Sequence, residues 1–314
     1  MKSEKIGIIG SGLIGRAWSM LFASVGYQVM LYDILPEQTR SALEEIQKEL
    51  YVLKAKKALR GKLSPAEQFK CISVTTDISE LVRGAIYLQE CIPERIDMKR
   101  ALYMQLAEIV EPETIMGSST STYMPSLFSE QMPKRRENVV VAHPLNPPYY
   151  IPLVEIVPAP WTKPHYVTRT RELMIEIGQK PVTLSREIEG FVTNRIQYAI
   201  LNEVWRLVGD GIVSVADVDR VMTEGLGLRY ALLGPLETGH LNANDVSDYV
   251  QRFGGEIYAV SQTYGPTPKM EPGAVLSKIA AECEAMVPKT QMKARREQRD
   301  RFLHELVELK KNLK

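Results

Sequence analysis

The chain has 314 residues, 45% hydrophobic and 25% charged, which predicts a folded protein with room for two domains of ordinary size. Lys and Arg (39) balance Asp and Glu (38), so the charge points to neither a nucleic-acid partner nor an acidic membrane surface. No apolar stretch is long enough to span a bilayer, and an apolar segment follows Met1 closely, so we expect no signal or transit peptide. The three cysteines share no metal-binding spacing, so we expect reduced thiols, no metal site and a cytoplasmic enzyme.

The first segment has the pattern of a dinucleotide-binding turn. Apolar residues 6–9 predict a buried strand, the motif Gly10-x-Gly12-x-x-Gly15 follows it, and residues 16–24 are typical of a helix. In such a turn Gly10 allows the tight bend, Gly12 lets the backbone approach a pyrophosphate, and Gly15 lets the helix pack on the strand. This context is more specific than the glycine spacing alone.

The residues after the turn supply the other parts of a cofactor site. The amides of Gly12, Leu13 and Ile14 lie at the start of the predicted helix, where donors and the positive dipole end favour an anion. Residues 28–33 predict a second strand that ends in Asp33, whose carboxylate suits ribose hydroxyls and repels a 2′-phosphate. We therefore expect NAD rather than NADP. A turn with a surface Asp and no ligand remains the alternative.

The next part of the chain alternates helical and strand patterns. Helices are predicted at 37–59, from the capping box Ser64-Pro65-Ala66-Glu67 onward, at 96–110 and at 166–177; strands are predicted at 85–90, 114–117, 138–142, 153–157 and 181–184. This alternation predicts an α/β domain over residues 1–188, with a Rossmann-type, mostly parallel sheet.

From Gly190 the pattern is helical only. The positions with apolar helical spacing are Phe191, Ile196, Ile200, Val204 and Leu207. A Gly/Pro-rich passage follows at 225–235, and a charged helix is predicted at 294–314. These patterns predict an all-helical C-terminal domain over residues 189–314.

A histidine and a glutamate suggest the chemistry. His143 follows the predicted strand 138–142, and Glu155 lies within the apolar strand 153–157. A buried carboxylate needs a partner, and an imidazole is a natural one. Such a pair makes the histidine a general base for a hydroxyl proton while a hydride leaves to nicotinamide.

Two further polar residues are candidates for the same site. Asn194, at the start of the first helix of the second domain, could orient the base and the substrate oxygen. Ser121, in a hydroxyl-rich turn after strand 114–117, could donate to the carbonyl oxygen that forms on oxidation. A serine that serves only the turn is an equal alternative.

Together these residues resemble the L-3-hydroxyacyl-CoA dehydrogenase family, and in particular its L-gulonate-oxidising branch. The segments that carry the likeness are 10–16, 31–33, 89–94, 142–155, 190–195 and 225–231. The resemblance implies that His143 is the catalytic base, Glu155 its orienting acid and Asn194 the active-site asparagine. It also implies that Ser121 contacts substrate and nicotinamide ribose.

The resemblance further implies that Glu94, Lys99 and Asn146 lie near the cofactor, and that the helical domain forms a homodimer. Three departures bear on the substrate. The acyl-CoA enzymes usually carry Asn where this chain has Ser119, and they end in a Gly-rich aromatic motif rather than a charged helix. Arg229, where they have an apolar turn, could clamp a free carboxylate or form an ion pair between domains.

The sequence therefore predicts an NAD-dependent dehydrogenase that oxidises the 3-hydroxyl of a small L-3-hydroxy acid. L-gulonate, converted to 3-dehydro-L-gulonate, is the first candidate by resemblance. A 3-hydroxyacyl-CoA or carnitine-type dehydrogenase is the alternative within the same class. A structural protein, or an NAD-binding protein without turnover, is the alternative from another class.

Overall fold

The computed structural model describes residues 1–312. The chain divides into two compact units, Met1–Arg195 and the part from Ile196 onward. The first unit contains the sheet, and the described part of the second unit is helical, as predicted.

The first unit is built on an eight-stranded sheet. Its strands are β1 (Lys5–Ile9), β2 (Gln28–Tyr32), β3 (Ile72–Thr75), β4 (Ala85–Glu90), β5 (Ile115–Ser118), β6 (Val139–Pro144), β7 (Leu153–Pro158) and β8 (Lys180–Thr183). Their order is β3-β2-β1-β4-β5-β6-β7-β8, and β6 and β7 pair antiparallel while the other neighbours pair parallel. The predicted Rossmann-type, mostly parallel sheet is confirmed. The order reverses between β1 and β4, where a doubly wound sheet binds its ligand.

Helices cover both faces of this sheet. They are α1 (Leu13–Ser24), α2 (Pro36–Ala55), α3 (Pro65–Lys70), α4 (Ile78–Val82), α5 (Ile96–Ile109), α6 (Ser126–Ser129) and α7 (Pro164–Glu176). Alternate residues of one strand enter different cores: Ile8 packs in the cluster with Trp18 of α1, and Ile9 packs in the cluster with Tyr103 of α5. Because both faces are buried, the central strands are apolar throughout.

The structure corrects several predicted boundaries. Helix α2 ends at Ala55 rather than at residue 59, because Lys57 adopts a left-handed conformation with φ 57°. Strand β3 and helices α4 and α6 were not predicted; they have four or five residues, and polar residues interrupt their apolar pattern. The capping box at Ser64 is confirmed, with Ser64 and Glu67 bonded reciprocally.

Phe191 does not belong to the predicted helical face. It precedes helix α8 (Thr193–Gly209), has φ 52°, and is fully buried in the core of the first unit. Its apolar side chain matched the helical period by chance, because the backbone is still in a turn at this position.

The second unit begins within α8, at Ile196, and contains the helices that follow it. They are α9 (Val215–Val221), α10 (Gly227–Leu232), α11 (Pro235–Leu241), α12 (Val246–Ser261), α13 (Ala274–Met286) and α14 (Met292–Asn312), with a π-helical turn at Met222–Leu226. The last two positions of the predicted terminal helix, 313 and 314, lie outside the described residues. No helix within residues 1–312 has both the length and the apolar composition needed to cross a membrane.

Candidate active site

The glycine turn between β1 and α1 leaves an open cradle. Gly10 has φ 102°, and a Cβ atom there would lie 2.7 Å from the carbonyl oxygen of Cys91. A Cβ on Gly15 would collide with the carbonyl oxygen of Gly10, whereas a Cβ on Gly12 would meet no atom within 4 Å. Gly10 and Gly15 are therefore required by the fold itself, while Gly12 faces free space at the start of α1. This space suits a pyrophosphate against the amides of Leu13 and the residues after it.

Asp33 is held beside this cradle. It follows β2, and its Oδ2 accepts hydrogen bonds from the amide (3.0 Å) and the hydroxyl (2.7 Å) of Ser11. Its Oδ1 accepts from the amide of Leu35 (3.3 Å). The carboxylate is thus fixed at the end of β2 and remains partly exposed, as a contact to ribose hydroxyls requires.

His143 and Glu155 form a buried pair. His143 was predicted to follow its strand, but β6 continues through Pro144, so His143 lies inside the strand. The antiparallel register places His143 directly opposite Glu155, and the distance from His143 Nδ1 to Glu155 Oε2 is 2.9 Å. His143 is 5% exposed and Glu155 1%. The pairing expected from the sequence is present, and sheet register produces it.

Glu155 is further bound by the start of helix α8. Its Oε1 accepts from the amides of Val192 and Thr193, each at 2.9 Å. Burial alone would raise the pKa of Glu155, but the hydrogen bonds from His143 and these amides outweigh it and hold the pKa below the usual range. An ionised carboxylate only accepts hydrogen bonds, so the His143 proton lies on Nδ1 and Nε2 keeps a free lone pair.

Ser121 and Asn194 are also brought together. The Asn194 side-chain amide Nδ2 donates to the carbonyl oxygen of Ser121 at 2.7 Å. Asn194 lies in the first turn of α8, immediately after the amide of Thr193 that binds Glu155. The start of α8 therefore connects the His143–Glu155 pair to the hydroxyl-rich turn.

Glu94 binds this turn from the other side. Its Oε1 accepts from the Thr120 hydroxyl (2.6 Å), the Ser121 amide (2.9 Å) and the Thr122 hydroxyl (3.2 Å), and its Oε2 lies 3.2 Å from Lys99 Nζ. Burial tends to raise the pKa of Glu94, but the Thr120 hydrogen bond and the Lys99 charge outweigh it and lower the pKa. Lys99 itself is fully buried, so it affects the crevice through Glu94.

Sequence reasoning missed a buried polar set beneath the turn. The Ser119 hydroxyl accepts from Trp18 Nε1 (3.1 Å) and from Gln89 Nε2 (2.6 Å), so it is engaged inside the unit. Glu90, at the end of β4, accepts two bonds from Lys99. The adjacent polar pair Gln89 and Glu90 at the end of an apolar strand was the available signal.

The two remaining predicted residues lie on the surface of their own units. Asn146 is exposed in the loop after β6, and Arg229 is exposed on α10 of the second unit. Their predicted contacts, to nicotinamide and to a substrate carboxylate, remain predictions.

Comparison with protein-family models matches both parts of the chain. Residues 5–188 match the NAD binding domain of 3-hydroxyacyl-CoA dehydrogenase, and residues 190–307 match its C-terminal domain. The chain belongs to the 3-hydroxyacyl-CoA dehydrogenase family. This member is therefore an NAD-dependent dehydrogenase that acts on a small-molecule substrate, and the predicted cofactor and reaction class are confirmed.

Relatives cover almost the whole length of this family member. It is 47% identical to lambda-crystallin from Oryctolagus cuniculus over 98% of this chain and 96% of the relative. It is 31% identical to L-carnitine dehydrogenase from Bacillus cereus over 98% of this chain and 92% of the relative. Among solved structures, an NAD-dependent 5-formyl-3-hydroxy-2-methylpyridine 4-carboxylic acid 5-dehydrogenase is similar, with TM-score 0.76, 26% identity and 98% of both chains covered.

Proposed function

We propose that this dehydrogenase oxidises the 3-hydroxyl of a small free L-3-hydroxy acid, with L-gulonate to 3-dehydro-L-gulonate as the first candidate. His143 is the general base, and Glu155 orients it. The observation that carries the proposal is the 2.9 Å contact between His143 Nδ1 and Glu155 Oε2 within the buried sheet. Lambda-crystallin is the L-gulonate 3-dehydrogenase branch of the family, so the likeness to it supports L-gulonate over an acyl-CoA substrate.

The residues of this chain divide the work of alcohol oxidation. Bound NAD supplies the hydride acceptor. His143 Nε2 accepts the hydroxyl proton, and the Glu155 carboxylate stabilises the resulting imidazolium while Nδ1 keeps its proton. The Ser121 hydroxyl donates to the substrate oxygen as that oxygen becomes a carbonyl. The Asn194 side-chain amide holds Ser121 in place by donating to the main-chain oxygen of Ser121.

The cofactor contacts that we propose follow the crevice from β2 to β6. The glycine turn and the first amides of α1 hold the pyrophosphate, and Asp33 binds the adenosine ribose. Glu94 and Asn146 lie toward the nicotinamide, and the buried Lys99 acts through Glu94. The residues are Gly10, Gly12, Leu13, Ile14, Gly15, Asp33, Glu94, Lys99 and Asn146.

We place the border of the cofactor-binding domain and the substrate domain between residues 188 and 189. The ranges of the two family models, 5–188 and 190–307, support this division.

Arg229 distinguishes the substrate classes. A guanidinium forks onto a free carboxylate, which a hydroxy acid carries and a CoA thioester lacks. The likeness to L-carnitine dehydrogenase favours carnitine as the second candidate, since carnitine is also a free 3-hydroxy acid. The alternative of a structural protein without turnover is disfavoured. Burying a carboxylate against an imidazole costs free energy, and a structural protein would have no function for the His143–Glu155 pair.

The test is NADH formation from L-gulonate, L-carnitine, L-3-hydroxybutyrate and its CoA thioester. We expect the free sugar acid to be oxidised by the wild type, His143→Gln to be inactive, and Arg229→Met to raise the KM for free acids. His165→Gln changes an exposed histidine and serves as the matched control. Turnover of the thioester alone would overturn the substrate assignment. NADH binding without any turnover would favour the binding or structural alternative.

We further propose a homodimer through the helical domain and a cytoplasmic location. Helix α12 carries an exposed apolar stripe. The hydrophobic cluster of the described second unit is small, with three buried residues, Val208, Val215 and Val218. The stripe consists of Val246, Val250, Phe253, Ile257 and Val260. An apolar face of this kind suits a second copy of the chain. Free cysteines at positions 71, 91 and 283 support a reducing compartment.

A further inference from the structure

Lys99 is a fully buried cation shared by two glutamates. Its Nζ lies 2.9 Å and 3.0 Å from the two carboxylate oxygens of Glu90 and 3.2 Å from Oε2 of Glu94. Lys99 and Glu90 are each 1% exposed, whereas the Glu94 side chain is 37% exposed at the edge of the turn. A buried charge is tolerated only when it is paired, so Glu90 is the partner that permits Lys99 to lie here.

Glu90 also connects the ends of two strands. It is the register partner of Ser118 across β4 and β5, and its Oε2 accepts from the Ser118 hydroxyl at 2.6 Å. Its Oε1 accepts from the amide of Ile92 (2.8 Å), and its main-chain oxygen accepts from the amide of Ser119 (2.8 Å). Every oxygen of Glu90 is thus used to hold the segments that lead into the turn.

We propose that Glu90 is a positioning residue of the dehydrogenase site, which acts through Lys99 on Glu94 and on the turn that carries Ser121. Glu90 accepts two hydrogen bonds from Lys99, and the Glu94 atom nearest the ammonium is Oε2, at 3.2 Å. Oε1 of Glu94 therefore remains available to the donors of residues 120–122. This inference rests on the proposed role of Ser121 beside the nicotinamide ribose.

The loss of charge on Glu90 should move the turn. A glutamine at position 90 offers Lys99 one oxygen and one amide group, and the amide repels the ammonium as a donor facing a donor. Lys99 is then attracted more strongly to Glu94, and Glu94 competes less well for the hydroxyls and amides of the turn. Because Asn194 donates to the carbonyl oxygen of Ser121, the shift reaches Asn194 as well.

The experiment compares NADH with ADP-ribose, which lacks the nicotinamide, as ligands of Glu90→Gln. We expect NADH to bind about tenfold more weakly, the effect of losing about one charge-assisted hydrogen bond. ADP-ribose should bind as to the wild type, since the glycine turn and Asp33 are unchanged. Glu176→Gln is the matched control, because Glu176 also accepts a hydrogen bond (from Tyr27) and pairs with a lysine, Lys2, but lies in α7.

A double-mutant cycle tests the route through Lys99. The double variant Glu90→Gln/Lys99→Met should bind NADH no more weakly than Lys99→Met alone, because Lys99 is the proposed route from the Glu90 charge to Glu94 and the turn. Additive losses would overturn the route. The proposal would be overturned if Glu90→Gln, Glu176→Gln and the wild type had the same ratio of NADH affinity to ADP-ribose affinity. If Glu90→Gln then had only a lower Tm, the role of Glu90 would be purely structural.

A milder variant covers the case in which Glu90→Gln does not fold. Glu90→Asp keeps the charge on a shorter side chain and leaves the bond from the Thr120 amide to the Ser118 hydroxyl in place. It should change the same affinity ratio by a smaller factor, and an unchanged ratio would overturn the proposal. These binding measurements use no hydroxy acid. A protein that oxidises none of the tested acids therefore overturns the proposed function but leaves this inference to be decided by the affinity ratio.

Discussion

His143 and Glu155 face each other across antiparallel strands β6 and β7, with Nδ1 and Oε2 2.9 Å apart. Side chains alternate between the two faces of a sheet, so a register shift of one residue would put the two on opposite faces. The reversal of direction at β7 thus brings an acid that follows the histidine by twelve positions directly opposite it. The amides at the start of α8 then fix the other carboxylate oxygen.

Glu155→Gln should abolish most of the activity while keeping the shape of the pair. The glutamine amide donates to His143 Nδ1, so the neutral ring carries its proton on Nε2 and cannot accept one from the hydroxyl. We expect kcat to fall about 10³-fold or more, as when the acid of a His–Asp pair is made an amide. Glu155→Asp keeps an acceptor and should lose less. Equal activity of Glu155→Gln and wild type in steady-state NADH formation would contradict this role.

The same residue should make stability depend on pH. The pKa of Glu155 is lower in the folded than in the unfolded chain, where it is about 4.3. Its charge therefore stabilises the fold above the unfolded pKa, and this contribution is lost as pH falls through the folded pKa. We expect Glu155→Gln to be less stable than wild type by about 1–2 kcal/mol at pH 7. Urea unfolding across the acidic range should show the difference disappearing.

The control for this measurement is Glu67→Gln, in which the exposed acid of the Ser64 capping box is changed. Its stability difference should be small at every pH, because the group is solvated. A Glu155→Gln difference that persisted unchanged below the folded pKa would mean that packing, and not charge, is responsible.

The sequence predicted the parts of the site that depend on local order along the chain. The glycine turn followed by Asp33 is recognisable because residue type and neighbouring apolar runs specify it. An acid inside an apolar strand indicated that Glu155 needs a partner such as His143, although the contact itself depends on register. The partner of Glu90 could not be predicted, because Glu90 ends β4 and Lys99 lies in α5. Their contact therefore depends on how the helix packs relative to the strand. Register and packing between segments are set by the whole sheet, and a single sequence does not display them.

Two glycines of the same motif should respond differently to alanine. A Cβ on Gly15 would collide with the carbonyl oxygen of Gly10, so Gly15→Ala should lower stability by about 1–3 kcal/mol. A Cβ on Gly12 would meet no atom of the chain, so Gly12→Ala should keep the wild-type Tm and weaken NADH binding. Thermal unfolding without cofactor, together with NADH titration, measures both. A Gly12→Ala variant with unaltered NADH affinity would show that the cradle is not the pyrophosphate site.

Asp33→Ala should weaken the preference for NAD. The carboxylate at the end of β2 is expected to accept from the ribose hydroxyls, and charge-assisted bonds of this kind are worth about 1.5–3 kcal/mol. We expect kcat/KM for NAD to fall about 10- to 100-fold, and the ratio of NADP to NAD turnover to rise. Ser11→Ala removes one donor to Asp33 but keeps its charge, so it should not raise NADP use. An unchanged cofactor ratio in Asp33→Ala would exclude Asp33 as the determinant.

Charge on the apolar stripe of α12 should dissociate the proposed homodimer. Val250 and Ile257 are 59% and 52% exposed and lie on one side of the helix, two turns apart. An aspartate at either position would be buried without a partner in a dimer interface, so Val250→Asp and Ile257→Asp should be monomers in sedimentation experiments where the wild type is a dimer. Ala259→Asp changes an exposed residue on the opposite side of α12 and should remain dimeric. A wild-type protein that sediments as a monomer at every concentration would contradict the homodimer, and dissociation by Ala259→Asp as well would mean that the stripe is not the interface.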